Sequence, residues 1–135
     1  MLTTFGTLFK TSPYYLKKVD KSKIFIPKWK KFKDLHPVDQ YAVLTKNCSG
    51  IWTEDEIREI RAYYFSMLSE VDNMLGELFR VVPRDTVILF TSDHGDLAME
   101  HQQYYKMSFY EGSIRVPFIA AGPMFKSNKK NASLG

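Results

Sequence analysis

Residues 53–82 constrain the fold of this chain more than any other stretch. Ile57, Ile60, Tyr64, Met67, Leu68, Val71, Met74, Leu75, Leu78 and Val82 recur every three or four positions, which lines one face of an α-helix. Thr53 and Glu56 have the spacing of a capping box, in which each side chain satisfies a backbone N–H of the other. Glu54 and Asp55 put negative charge in the first turn, where the helix dipole favours it. Pro83 ends the run. At 1.5 Å per residue such a helix is roughly 45 Å long. A chain of 135 residues covers a helix of that length poorly, so a larger parent fold is expected.

The stretches around this helix set the fold class. Residues 86–91 are rich in β-formers, with Val87, Ile88, Leu89 and Phe90 apolar on both faces, and residues 115–121 repeat the pattern. Strands of that kind sit inside sheets covered on both sides. A long helix followed by two buried strands predicts an α/β layered architecture with the helix packed on them. Residues 1–50 carry Pro13, Pro27 and Pro37 and no sustained period, so they read as irregular chain with a short strand at 24–26 and a turn entered at His36-Pro37. The expected organisation is a basic lead-in over 1–50, a core slice over 51–123 and a polar tail over 124–135.

Composition removes several classes. With 44% hydrophobic and 15% aromatic residues, the chain has the material for a core and is not intrinsically disordered. Its apolar runs fall far short of the ~20 residues a membrane span needs. The single cysteine, Cys48, excludes an internal disulfide and a multi-cysteine zinc site. The first nine residues have no positive n-region and no unbroken apolar run, so no signal peptide is expected there.

The charge is unevenly spread. Residues 10–33 hold nine lysines against the single acid Asp20, whereas residues 34–122 carry seven basic and fourteen acidic side chains. Three further lysines at 126, 129 and 130 bring the whole to +4. A basic stretch with interleaved aromatics can bind a polyanion; the plainer reading is a solvated segment kept soluble by its lysines. No organised nucleic-acid-binding motif is present, and no nucleic-acid partner is expected.

The chemistry lies between the two strands. Asp93 and His94 fall where the first strand's carboxyl end meets a loop, the edge at which open α/β sheets bind ligands. A carboxylate beside an imidazole suits a divalent cation, and Gly95 allows a sharp turn that presents both. The competing reading makes Asp93 and His94 the cap of a following helix. Asp96, Glu100 and Glu111 are nearby acids that read as caps and surface groups.

The stretch TSDHGDLAMEHQQYYKMSFYEGSIRVPFI resembles the second signature region of the type I sulfatases, members of the alkaline-phosphatase-like superfamily. The ordered set carries the resemblance: the Asp-His-Gly turn, His101, Lys106 thirteen positions after Asp93, then Tyr-Glu-Gly at 110–112 and Arg-Val-Pro at 115–117. It implies a partial sulfatase sandwich in which Asp93 and His94 are ligands of one calcium ion. It also implies that Lys106 contacts the sulfate and steadies the leaving oxygen, with His101 supporting the site or only the structure around it. A lysosomal or secreted parent acting on sulfated sugars, of the glucuronate 2-sulfate class, or on aryl sulfates is implied as well. The sequons at Asn47 and Asn131 agree with a glycoprotein.

The family nucleophile is a cysteine in Cys-x-Pro/Ala-x-Arg, oxidised to formylglycine. Cys48 stands in Asn-Cys-Ser-Gly with no arginine in place and does not match it. The family's early Asp-Asp calcium pair and its first lysine and histidine have no counterpart here either. The chain is therefore expected to share its ion with residues outside it and to be inactive alone. Two other readings stay open: a metal-dependent phosphatase or phosphonate hydrolase of the same superfamily, and a non-catalytic truncated product that binds polyanions.

Overall fold

The computed structural model describes residues 10–45 and 48–125. Asn47, Asn131 and the lysines at 126, 129 and 130 lie outside the described residues. In chain order the elements are α1 (Pro13–Leu16), α2 (Pro37–Thr45), α3 (Glu54–Val81), β1 (Ile88–Thr91), α4 (Glu111–Ile114) and β2 (Phe118–Ala121), with short 3-10 turns at Lys21–Lys23, Phe32–Asp34 and Glu100–Gln102.

The helix expected over 53–82 is α3, 28 residues long. Its capping box is formed: Glu56 N–H donates to Thr53 Oγ1 at 3.2 Å, and Glu56 Oε2 accepts from Thr53 N–H at 2.8 Å. The helix behaves as two halves. Ile57, Ile60, Ala62 and Ser66 of the first half are buried, whereas Leu68, Val71, Met74 and Leu78 of the second are exposed. The core gathers at the buried half, where Ile57 and Ile60 meet Val43 of α2, Cys48, Met99 and Tyr104. Trp29, Leu35 and Trp52 close its edges.

The lead-in is better organised than its prolines suggest. Ser12 caps α1 through Tyr14 N–H at 3.2 Å, and Pro37 opens α2 directly after His36. The strand expected at 24–26 does not form. Arg58 Nη1 of α3 donates to the Ile24 carbonyl at 3.0 Å and to the Lys21 carbonyl at 3.3 Å, so these backbone groups pair with a helix side chain. Lys21 also pairs with Glu59, and Thr11 Oγ1 donates to Glu70 Oε2 at 3.0 Å. The segment is thus strapped along α3, and its lysines are not all free in solvent.

The two strands pair antiparallel, with Ile88 opposite Ala121 and Thr91 opposite Phe118. They are shorter than the β-rich runs that contain them, and they form the only sheet among the described residues. The α/β class holds. The expected burial on both faces does not: Leu89 is 60% exposed, Phe118 71% and Ile119 57%. A two-stranded ribbon has two faces, and here no described layer closes over these side chains. No described helix is long and apolar enough to cross a membrane.

Replacing Thr53 by alanine should lower stability by about 1 kcal/mol, the usual cost of losing an N-cap side chain, read from a shifted urea midpoint. The backbone N–H of Thr53, and then its hydroxyl, hold the Glu56 carboxyl below the usual carboxylate range. A depressed folded pKa contributes stability above the unfolded value and loses it as pH falls through the folded value. Alanine keeps the backbone N–H and loses only the hydroxyl's share, so the gap between Thr53→Ala and the parent should narrow slightly in acid; a gap that widens as pH falls contradicts this.

Candidate functional site

β1 ends at Thr91, and the chain enters an irregular loop that runs to α4. Asp93 and His94 stand at that exit, as expected. No helix begins behind them, since the next helical residues are Glu100–Gln102, so the capping alternative is not realised. Asp93 instead accepts its neighbour's backbone N–H: His94 N donates to Asp93 Oδ1 at 3.0 Å.

Three groups converge at His94. Lys106 Nζ lies 2.8 Å from His94 Nε2, and Asp93 Oδ2 is 3.4 Å from the same nitrogen. An ammonium can only donate, so Nε2 accepts and the ring proton sits on Nδ1. Nδ1 is 2.9 Å from the Gly95 carbonyl oxygen, to which it donates. A backbone carbonyl on one ring nitrogen is the usual way a protein aims the other nitrogen's lone pair at a cation. Asp93 remains open to solvent, its side chain 82% exposed. Asp93 and His94 thus fit one edge of a cation's ligand shell; Nε2 has a single lone pair, so a cation bound there would take the place of the Lys106 ammonium and leave that charge free for another oxygen. Asp93 and His94 do not fill a shell: among the described residues no three His, Cys, Asp or Glu side chains are grouped to hold a metal.

What brings Lys106 to His94 is Ser113. Gly95 N–H donates to the Ser113 carbonyl at 2.7 Å, and the Ser113 hydroxyl donates to the Lys106 carbonyl. Ser113 is almost wholly buried between them. Gly95 serves a purpose other than the expected one. Its φ is not in the left-handed region, where Gly122 is the only described glycine. Instead a Cβ at Gly95 would overlap the Gly112 carbonyl oxygen, so the position demands close backbone approach.

The loop below is held under strain. Ala98, Met99, His101, Gln102 and Tyr105 all have positive φ, a costly conformation for residues with side chains. Side chains from elsewhere grip the carbonyls. Arg61 Nη1 donates to Ala98 O at 2.9 Å and Trp29 Nε1 to Met99 O at 2.8 Å. Asp96 turns inward, its Oδ1 accepting from Ala98 N–H at 2.9 Å and Tyr105 N–H at 3.2 Å. Glu100 lies 3.7 Å from Arg61, and Glu111 pairs with Arg115 at 3.4 Å. These three acids serve the loop and the surface.

His101 stacks on Tyr110, the ring centroids 3.6 Å apart and the planes 4° from parallel. The Tyr110 hydroxyl donates to Asp39 Oδ2 at 2.8 Å, and Gln103 Nε2 donates to Asp39 Oδ1 at 3.3 Å. Burial, and then the Asp39 hydrogen bond and charge, push the Tyr110 phenol above its ordinary value, so it stays a donor. Beside this network a cleft of about 600 Å³ runs from Lys106 past Met107 and Phe109 to Val38 and Ala42 of α2. Sequence reasoning missed Asp39 and Arg61, and gave Tyr110 no role of its own. Asp39 and Arg61 reach the loop from 64 and 37 positions away, and no local spacing signals such contacts. Cys48 is fully buried in the core cluster with Val43, Ile57, Ile60, Met99 and Tyr104.

A Gly95→Ala variant should lose about 1–3 kcal/mol, the scale of forcing an atom into packed space. The check is its unfolding midpoint beside that of Gly50→Ala, where an added Cβ meets nothing closer than Trp52 at 3.9 Å. Equal midpoints would remove the close-approach argument.

Comparison with known proteins gives a consistent result. The sulfatase family profile matches residues 8–134. Arylsulfatase K of Danio rerio is 56% identical over 131 residues, covering 93% of this chain and 25% of the relative. Arylsulfatase K of Xenopus laevis is 52% identical over 123 residues, covering 87% of this chain and 23% of that one. The chain therefore spans about a quarter of the length of these relatives. Among solved structures, the phosphonate monoester hydrolase of Agrobacterium radiobacter superposes with a TM-score of 0.72 at 27% identity, covering 84% of this chain and 26% of the other.

Proposed function

The chain belongs to the sulfatase family, and on that premise we propose that residues 51–123 supply the cation-and-lysine half of a sulfuric ester hydrolase site. The observation that carries this reading is the meeting of Asp93, His94 and Lys106, which the Ser113 clamp holds together from separate arms of the loop. Asp93 and His94 would hold a divalent cation, calcium in this reading, together with ligands from outside this chain. Bound there, the ion supplies a Lewis acid for a sulfate oxygen.

This chain's own residues have distinct tasks. His94 keeps its Nε2 lone pair facing outward because Nδ1 is spent on Gly95 O. Lys106 offers an ammonium to the ester oxygen on which negative charge grows as the S–O bond breaks. A point charge with three rotatable donors suits an oxygen whose position shifts during the reaction. The cleft beyond Lys106 receives the group that carries the sulfate. The substrate class in this reading is a sulfated sugar, glucuronate 2-sulfate included, or an aryl sulfate. The parent is a lysosomal or secreted glycoprotein. The 135 residues alone contain no Cys-x-Pro/Ala-x-Arg nucleophile motif, so turnover needs residues from outside them. The likeness in fold to a phosphonate monoester hydrolase keeps phosphonate esters as a second substrate class.

The test is a chimera in which this chain replaces the matching segment of the Danio rerio arylsulfatase K, assayed on aryl sulfate and aryl phosphonate esters. Lys106→Met should lower kcat by about two to three orders of magnitude, the scale of losing one charge stabiliser. Asp93→Ala should abolish turnover and lower the bound calcium. Near-parent turnover of Lys106→Met would make the lysine a packing residue. Faster cleavage of the phosphonate ester would favour the second substrate class.

A further inference from the structure

Behind the Tyr110–Asp39 pair lies a second cleft of about 330 Å³, at the small end of the ~300–1,000 Å³ usual for small-ligand sites. Lys28 and Lys30 stand on its rim, with Trp29 between them, and His36 and His101 complete the nitrogen-bearing wall. Trp29 is locked in place, since its indole N–H is spent on the Met99 carbonyl. Asp39 is the one acid in the lining, and both its oxygens already accept hydrogen bonds from Tyr110 and Gln103. Two lysines against one engaged carboxylate leave the cleft positive. His36, Asp39 and Tyr110 line this cleft and also the larger one that begins at Lys106, so the two clefts share a wall. A ligand long enough to cross that shared wall would have Lys106 at one end and Lys28 and Lys30 at the other.

We propose that this second cleft is a subsite for another anionic group, a carboxylate or a sulfate, borne by the sugar unit next to the ester held at Lys106. This deepens the sulfatase reading and rests on it. Lys28 and Lys30 supply the charge, and the fixed faces of Trp29 and the His101–Tyr110 stack give the apolar side of a sugar ring something to lie on. The substrate is then a saccharide chain carrying at least two anionic groups, and a single sulfated sugar engages only half of the groove. Both lysines lie in the basic stretch over 10–33, to which the sulfatase signature region assigns no task.

The test reads binding, so its failure is separate from a failure to hydrolyse. In the same chimera, affinities are measured for a uronate–hexosamine disaccharide bearing one sulfate and for the same disaccharide bearing sulfates on both units. The parent should prefer the doubly sulfated form by about tenfold, the scale of two exposed ion pairs, and high salt should erode the preference. Lys28→Gln with Lys30→Gln should abolish it, and arginine at both positions should restore it. A parent without the preference, a glutamine pair that keeps it, or an arginine pair that fails to restore it overturns the proposal.

Discussion

The candidate site depends on one buried serine. Ser113 accepts from Gly95 through its carbonyl and donates to the Lys106 carbonyl through its hydroxyl, which ties the exit of β1 to the far arm of the loop. Without that clamp, His94 and Lys106 belong to two segments twelve residues apart in an irregular loop, with no ladder to align them. The clamp also explains the glycine at 95. Gly95 lets the two backbones come close enough for Ser113 to reach both, and a side chain there would separate them, whereas a Cβ at Gly112 would press first on the Leu97 side chain at 3.3 Å. Electrostatics then completes the arrangement, because the tautomer imposed on His94 points its lone pair at the lysine.

Beneath the site, the core and the loop stabilise each other. The left-handed residues from Ala98 to Tyr105 are unfavourable by themselves and persist only where the surroundings over-determine them. Arg61 and Trp29 hold successive carbonyls, while Met99 and Tyr104 are sunk among Ile57, Ile60 and Val43. Burial, and then the neighbouring Cys48, drive the Tyr104 phenol far above its ordinary value, so it stays neutral in the core. The buried half of α3 is thus the platform on which the loop is built. The other half of α3 and the β1–β2 ribbon present apolar faces of the kind a larger domain covers, in keeping with relatives about four times the length of this chain.

The charge distribution also acquires a structural meaning. Three lysines of the lead-in serve two different ends. Lys21 pairs with Glu59 and straps the segment to α3, whereas Lys28 and Lys30 face a cleft. A composition count treats them alike, and only their partners tell them apart.

Local rules sufficed for features whose causes are local. The capping box and the stop before Pro83 follow from spacings of one to four residues, and α3 appears where the sequence places it, although only Ile57 and Ile60 of its expected apolar stripe are buried. The position of Asp93 and His94 at a strand exit was equally legible, because the β-rich run ends at Thr91. The tertiary structure alone decided the rest. The segment at 24–26 lost its strand because Arg58 took its carbonyl, and the apolar strands stayed exposed because pattern reports what a strand can bury, whereas burial requires a covering layer. Asp39, Arg61 and Ser113 entered the site through contacts that span tens of residues or link the two arms of a loop, and no periodicity encodes those. Sequence determines which chemistry a chain carries and which short-range structure its backbone prefers. Which groups meet depends on where the packed core leaves each carbonyl, and that is a property of the whole fold.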